Sequence, residues 1–342
     1  MKKAVLFIKT KEMSVKCTAC SWYCHILQNQ SGICGVRQNK NGNLYLLVYG
    51  KAVAANIDPI EKKPLFHFLP GSKIFSIGTI GCNFACDFCQ NWNISQISKN
   101  LNKEKKNISQ YGKNLSPKEI VNYCIENNIP SIAFTYNEPA IIFEYALDTF
   151  KIAKRKGLKT VYVSNGYESK EQVKMLKGWL DAINIDLKSF SNNFYRKICK
   201  ASLTPVLENI KRFYELNVWT EITTLIIPNE NDSEKELSEI SNFIAGISKN
   251  IPWHVSKFHP DFKMQNKTET PDKILKMAFD VGKKTGLKYV YIGNILNNNH
   301  ENTICPKCNI MLIKRNYYDI EFKNINKGIC NNCKTKIEGI WI

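Results

Sequence analysis

From residue 71 onward, short apolar runs alternate with longer stretches in which apolar residues recur every three or four positions. The runs are KIFSIGTI (73–80), SIAFTY (131–136), LKTVYVS (158–164), DAINIDL (181–187), WTEITTLII (219–227), PWHVSKF (252–258) and KYVYIG (288–293). Short runs rich in β-branched and aromatic residues, bounded by turn residues, predict buried strands. The helical periodicity predicts helices over 117–128, 139–156, 168–178, 204–216, 232–248 and 271–285. Ser116-Pro117, and Ser233 with acidic residues behind it, supply helix starts, because a serine oxygen satisfies a first-turn N–H that has no helical partner. Strands separated by helices run parallel with right-handed crossovers. The predicted fold class is α/β, a partial (β/α)6-type parallel barrel, with its chemistry at the C-terminal ends of the strands.

Outside this rhythm the pattern changes. Residues 1–70 read as an N-terminal Cys-rich segment of short strands and turns, with a hairpin at NLYLLVYG after the Asn41-Gly42 turn signal. Residues 71–296 carry the barrel, and 297–342 form a Cys-rich, zinc-ribbon-like tail. The polar, basic, Asn-rich segment 93–115 predicts a loop or flexible insertion. The first apolar run, Ala4 to Ile8, stops at Lys9, too short for a signal-peptide core, and no segment reaches the length of a membrane helix. The expected location is the cytoplasm.

Composition adds two points. The formal net charge is +18, but only five of the 48 basic residues are arginine. Readers of phosphate and bases favour arginine forks, so a lysine- and asparagine-biased composition accounts for the charge better than a nucleic-acid surface does. The thirteen cysteines are a high and odd number. In a cytoplasmic chain they argue for metal or cluster ligation rather than disulfides. Eleven fall into three groups, while Cys124 and Cys199 stand alone and read as small buried apolar residues.

The middle group is the loop GCNFACDFCQN (81–91), just past the first predicted barrel strand. It supplies Cys82, Cys86 and Cys89 and no fourth ligand. A [4Fe–4S] cluster normally takes four thiolates, so three leave one iron open, and an open position is where a substrate or cofactor binds. The next strand ends at Glu138, whose carboxylate could accept hydrogen bonds from an ammonium group. His259 ends the sixth strand on the same side. The tail carries Cys305-x2-Cys308 and Cys330-x2-Cys333, the paired knuckles of a structural zinc site. Cys17, Cys20, Cys24 and Cys34 suit one further site, either zinc or an auxiliary iron–sulfur cluster; spacing does not separate the two.

Cys82-x3-Cys86-x2-Cys89, with Phe88 before the last cysteine, resembles the signature of the radical SAM superfamily. The resemblance implies that S-adenosylmethionine chelates the open iron and is cleaved by one electron to a 5′-deoxyadenosyl radical that abstracts hydrogen. Tyr136-Asn137-Glu138-Pro139 is similar to the superfamily's Gly-Gly-Glu-Pro element, which implies a cofactor-binding role for Glu138. Ser164-Asn165-Gly166 and Asp186-Leu187-Lys188 resemble the stretches of pyruvate formate-lyase activating enzymes that contact cofactor ribose and carboxylate. By the same resemblance His259 lies near the cofactor, and Phe88 near its adenine. The order of motifs, from CTACSWYCHILQNQSGICGVRQN to CPKC…CNNC, is similar over nearly the whole chain to the AmmeMemoRadiSam-system radical SAM enzymes. The chain departs from the activases at Tyr136 and Asn137, which replace glycines, and at Val163-Ser164, which stand where Asp-Thr forms a monovalent-cation site. Asn229 stands where glycine is usual, and asparagine tolerates the positive φ of such a turn. The implied cofactors are a [4Fe–4S] cluster, S-adenosylmethionine and Zn2+. The implied partners are a reductant such as flavodoxin or ferredoxin and a protein substrate, with nucleic acid the weaker option and no membrane. The rival reading is a non-catalytic, zinc-rich module that binds nucleic acid or protein.

Overall fold

In the computed structural model, which describes residues 1–103, 107–295, 299–316 and 318–341, every predicted apolar run contains a strand. We number the strands of the central sheet β1 (Ala54–Pro59), β2 (Lys73–Gly78), β3 (Ser131–Phe134), β4 (Lys159–Ser164), β5 (Ala182–Asp186), β6 (Trp219–Ile226), β7 (Trp253–Lys257) and β8 (Val290–Gly293). Their spatial order follows the chain order from one edge to the other. β2 through β8 are parallel, and β1 is antiparallel to β2. Among the described residues no ladder joins β8 to β1, so the barrel stays open. Helices lie between the strands and cover the sheet, which is why β3 is buried at all four positions and reads as an unbroken apolar run.

The α-helices of four residues or more are α1 (Trp92–Ser95), α2 (Ile97–Lys103), α3 (Pro117–Glu126), α4 (Phe143–Arg155), α5 (Lys170–Leu176), α6 (Thr204–Glu215), α7 (Glu234–Ile247) and α8 (Asp272–Lys284). The serine signals hold. Ser116 forms a full capping box with Glu119, and Ser233 accepts from the Glu236 N–H. The Asn41-Gly42 turn has φ of 49° and 70° and joins antiparallel strands Arg37–Lys40 and Asn43–Leu46. Asn229 takes a φ of 62°, so the turn survives without glycine.

One expectation is corrected. The segment 93–115 is not simply a loop: it contains most of α1, α2 and a 3-10 turn at Ile108–Gln110. Leu101 and Ile108 are buried, and packing of these scattered apolar residues outweighs the polar composition around them. Residues 104–106 of that segment lie outside the described residues.

A buried carboxylate ties the two termini to the barrel. Glu221, midway along β6, accepts from the backbone N–H groups of Phe66 (3.0 Å) and His67 (2.8 Å), from Trp219 Nε1 (2.9 Å) and from His254 Nε2 (2.7 Å). Burial alone would raise its pKa, but the His254 bond and its other donors hold the carboxyl below the ordinary value. His67 donates through Nδ1 to the Glu338 carbonyl and accepts at Nε2 from the Tyr291 hydroxyl. Residues Phe68 and Ile340 form a parallel bridge, and Arg315 Nη2 donates to the Phe66 carbonyl. Glu221→Ala leaves four donors without their acceptor, so the unfolding free energy should fall by about 3–5 kcal/mol. Chemical denaturation of the variant checks this; an unchanged midpoint rejects the anchoring role.

Candidate active site

A cavity of about 610 Å³ opens at the C-terminal ends of the strands. Its size falls within the range of about 300–1,000 Å³ usual for small-molecule sites. Cys82, Cys86, Cys89 and Phe88 line it. So do Ser164, Asn165, Asp186 and Lys188. Glu61, Phe66 and His254 also line it, with Glu301 and Tyr318 of the tail.

The three-cysteine loop is held at several points. The Phe84 N–H points at Cys82 Sγ (3.4 Å), and Cys89 Sγ lies 3.2 Å from Ser95 Oγ. Ala85 N–H donates to the Cys199 carbonyl, and Asp87 N–H to that of Ile198. Residues Tyr195–Cys199 form a π-helical turn, ended by Lys200 at a φ of 56°. Cys199 is therefore more than a core residue. The neighbouring Cys199 thiol, together with burial, raises the Cys86 pKa, although Cys199 is absent from the cavity wall. Lys188 Nζ sits 2.7 Å from Asp186 Oδ2 and 5.6 Å from the centre of the Phe88 ring. Burial opposes its charge, but Asp186 and the thiols of Cys86 and Cys199 keep it protonated.

Glu138 stands one layer behind the wall, fully buried. Its Oε1 accepts from Ala140 N–H (2.9 Å) and faces Ser164 Oγ (2.9 Å), and its Oε2 accepts from Asn165 N–H (2.8 Å). Asn165 in turn donates from Nδ2 to Asn83 Oδ1 (2.8 Å), beside Cys82. Glu138 thus sets two residues that do face the cavity. Sequence reading missed Glu168, whose Oε1 lies 2.7 Å from the same Ser164 oxygen. One hydroxyl proton cannot serve two carboxylates, so at least one of the pair is protonated and donates back to Ser164. Burial, then the neighbouring Glu168 charge, lifts Glu138 to about 8, and burial lifts Glu168 to about 7. The folded pair binds its proton more tightly than an unfolded carboxyl of ordinary pKa 4.5 does. Stability conferred by the pair is therefore full at low pH and is lost as pH rises through about 7–8. Ligand-free protein should lose about 1–3 kcal/mol between pH 5 and 8 from this source, and Glu168→Gln should flatten the slope. Denaturation series at four pH values read this, and an equal slope in the variant rejects the shared proton.

Tyr136 adopts a φ of 69°, where a glycine would be unstrained. Its hydroxyl donates to Asp58 Oδ2 (2.6 Å) and Lys63 Nζ lies 4.5 Å from its ring centre, contacts that offset the strain. Asn137 Nδ2 donates to the Gly81 carbonyl (2.8 Å) and to Thr79 Oγ1 (3.0 Å), joining the β3 end to the three-cysteine loop. Side chains thus replace the close backbone approach that two glycines would allow. His259 is exposed at the rim, where Gln90 Nε2 donates to its Nδ1 (3.3 Å), and it does not line the cavity.

In the tail, Cys305, Cys308, Cys330 and Cys333 gather with all four sulfurs within 4.8 Å of one another. Cys305 and Cys333 Sγ are 3.5 Å apart, and Cys308 and Cys330 Sγ 3.7 Å. Tetrahedral zinc with bonds of about 2.3 Å sets its sulfurs about 3.8 Å apart, so the donor set fits that ion.

Comparison with known proteins places these features. Residues 76–240 match the model of the radical SAM superfamily. Along 99% of both chains the protein is 40% identical to the uncharacterized protein MJ0808 of Methanocaldococcus jannaschii. It is 28% identical to a putative glycyl-radical enzyme activating enzyme, MJ1632, of the same organism, over 62% of this chain and 76% of that one. It is 22% identical to the pyruvate formate-lyase-activating enzyme of Clostridium pasteurianum, over 56% of this chain and 82% of that one. The fold is shared with Streptococcus suis SuiB, solved with the precursor peptide SuiA, at a TM-score of 0.50 and 13% identity, over 70% of this chain and 52% of that one.

Proposed function

The chain belongs to the radical SAM superfamily, as an enzyme related to the glycyl-radical activating enzymes, and on that premise we propose that it cleaves S-adenosylmethionine reductively to abstract hydrogen from a protein substrate. The observation that carries this reading is that Cys82, Cys86 and Cys89 share the wall of one cavity with Ser164, Asn165 and Asp186. The three thiols would hold three irons of a [4Fe–4S] cluster. When bound, the cluster and S-adenosylmethionine supply a one-electron bond cleavage that releases methionine and a hydrogen-abstracting 5′-deoxyadenosyl radical.

The chain's own residues bind, orient and exclude water. Ser164, Asn165 and Asp186 present polar groups to the ligand, and Phe88, buried beside Phe194, offers a flat surface for the adenine. Glu138 acts as a positioning residue for Ser164 and Asn165. His259 contributes at the rim, next to Gln90. The tail quartet holds zinc and keeps Glu301 and Tyr318 in the cavity wall. The reductant we assign is a low-potential flavodoxin or ferredoxin. A protein substrate is supported by the activating-enzyme names of two relatives. Among the described residues no helix is long and apolar enough to cross a membrane.

Anaerobic purification with iron and sulfide quantitation, then electron paramagnetic resonance with and without S-adenosylmethionine, tests the proposal. A cluster signal that shifts on adding the cofactor is the expected result. A colourless protein holding zinc alone overturns it in favour of a binding module. Cys199, a neighbour of Cys86 but outside the cavity, is expected to be dispensable as a ligand. Cys199→Ser should keep the loop's iron and its 5′-deoxyadenosine formation within about threefold, an effect of under 1 kcal/mol. Loss of iron in that variant would instead make Cys199 a fourth ligand.

A further inference from the structure

The N-terminal cysteines form a second converging set. Cys17 ends the strand Val15–Cys17, and its N–H donates to the Cys24 carbonyl (2.9 Å). Cys20 opens a tight turn in which the Tyr23 N–H returns to the Cys20 carbonyl (3.1 Å). Cys34 lies in the turn closed by Gly35 N–H on the Gly32 carbonyl, and a Cβ on Gly32 would sit 3.6 Å from Cys24 Sγ. Cys17, Cys20 and Cys34 are buried. Cys20 feels the charges of Cys17, Cys24 and Cys34, Cys17 that of Cys34, Cys24 that of Cys17 and Cys34 that of Cys24, so every pair among the four interacts and the set is compact.

Two observations bear on what this set holds. Among the described residues the tail quartet is the set whose ligand atoms gather within 4.8 Å, and the N-terminal thiols form no such set. Zinc draws four sulfurs onto the corners of a small tetrahedron, whereas a cubane places each thiolate on a different iron and holds them farther apart. The spacing therefore favours a cluster over a single ion. Arg37, buried and paired with Glu144, also acts electrostatically on Cys17 and Cys34, and its Nε has no partner. An unpaired guanidinium donor beside buried thiolates matches the negative charge and sulfur acceptors of a bound cluster.

This set touches the catalytic loop. Trp22 Nε1 donates to the Asn83 carbonyl (2.9 Å), and Ser98 Oγ to the Cys34 carbonyl (2.8 Å). A Cβ on Gly81 would meet that carbonyl at 2.9 Å, so the chain before Cys82 packs directly on Cys34. Lys99 feels both Cys82 and Cys34, and its Nζ donates to the Phe84 carbonyl (2.6 Å).

We infer that Cys17, Cys20, Cys24 and Cys34 ligate a second [4Fe–4S] cluster, fully coordinated by thiolates and packed against the three-cysteine loop. With no vacant iron, such a centre exchanges electrons and binds no substrate. The inference rests on the proposed function only for the identity of its neighbour.

The test is anaerobic reconstitution with iron and sulfide, followed by metal counting and electron paramagnetic resonance. Wild-type protein should hold about eight irons per chain, and the Cys82→Ala/Cys86→Ala/Cys89→Ala variant about four, with a signal that ignores S-adenosylmethionine. The Cys17→Ser/Cys34→Ser variant should also hold about four, with a signal that responds to it. If wild type holds about four irons, the loop variant none, and both about two zinc ions, the N-terminal site is zinc and the inference fails. If wild type holds about four irons and the loop variant keeps them, the inference stands and the catalytic reading fails. The wild-type and loop-variant counts decide the matter even where the N-terminal variant does not fold.

Discussion

Cys86→Ala protein, purified without oxygen and reduced, is expected to form no 5′-deoxyadenosine above the enzyme-free blank. Cys86 is buried in the cavity wall, on a loop pinned by two backbone bonds to Ile198 and Cys199. On the proposed reading, an alanine there removes one of three ligands, and no neighbour on the loop can replace it. The expected loss is on the order of 1,000-fold or more, since the bond broken is inert without the bound metal. Chromatographic quantitation of 5′-deoxyadenosine after a fixed reduction time reads the effect. Turnover within tenfold of wild type would remove the loop from the mechanism. The same preparation should lose the S-adenosylmethionine-responsive spin signal, which separates a missing cluster from a misfolded chain.

The second large effect is expected at a residue that does not reach the cavity. A carboxylate accepts at both oxygens, and Glu138 uses both, one toward Ala140 and Ser164, the other toward the Asn165 N–H. Glu138→Gln keeps one acceptor and turns an NH2 group on a donor, at the Asn165 N–H or at the Ala140 N–H. The main chain at Asn165 or at Ala140 must then shift, and with it the bond from Asn165 to Asn83. We expect S-adenosylmethionine to bind about 10–100-fold more weakly, equivalent to about 1.4–2.8 kcal/mol. Titration of the cofactor-induced spectral change measures this directly. Glu168→Gln serves as the control, because it removes the like charge without touching Asn165, and its affinity should stay within about threefold. Equal losses in both variants would assign the effect to the charge of the pair rather than to the geometry at Asn165.

The strands of the barrel were legible because burial on both faces writes them as continuous apolar runs, and helices came with serine caps whose bonds the structure shows. β1 escaped notice. Ala54–Pro59 packs on one edge only and exposes three of its six residues, so its pattern resembles a loop. α2 escaped because Leu101 supplies one of few apolar positions among lysines and asparagines. At the site, spacing alone revealed the three cysteines. The pairing of Cys199 with Cys86 and the meeting of Glu168 with Glu138 at Ser164 had no local signal, since each joins residues tens of positions apart through the tertiary fold. Tyr136 shows the reverse case: a departure visible in the sequence, whose compensation by Asp58 and Lys63 needed coordinates.

A sheet whose neighbours follow chain order can grow strand by strand as the polypeptide leaves the ribosome, each addition finding its partner already in place. Closure is different. His67 waits for the Glu338 carbonyl, 271 residues later, and at the same seam the Leu69 N–H donates to the Ile340 carbonyl and the Ile340 N–H to that of His67. Synthesis through Ile340 must therefore precede closure of this seam. During that interval the cysteine loop behind β2 is already synthesised, and on the proposed reading this is a window for delivering its iron and sulfide before the seam docks.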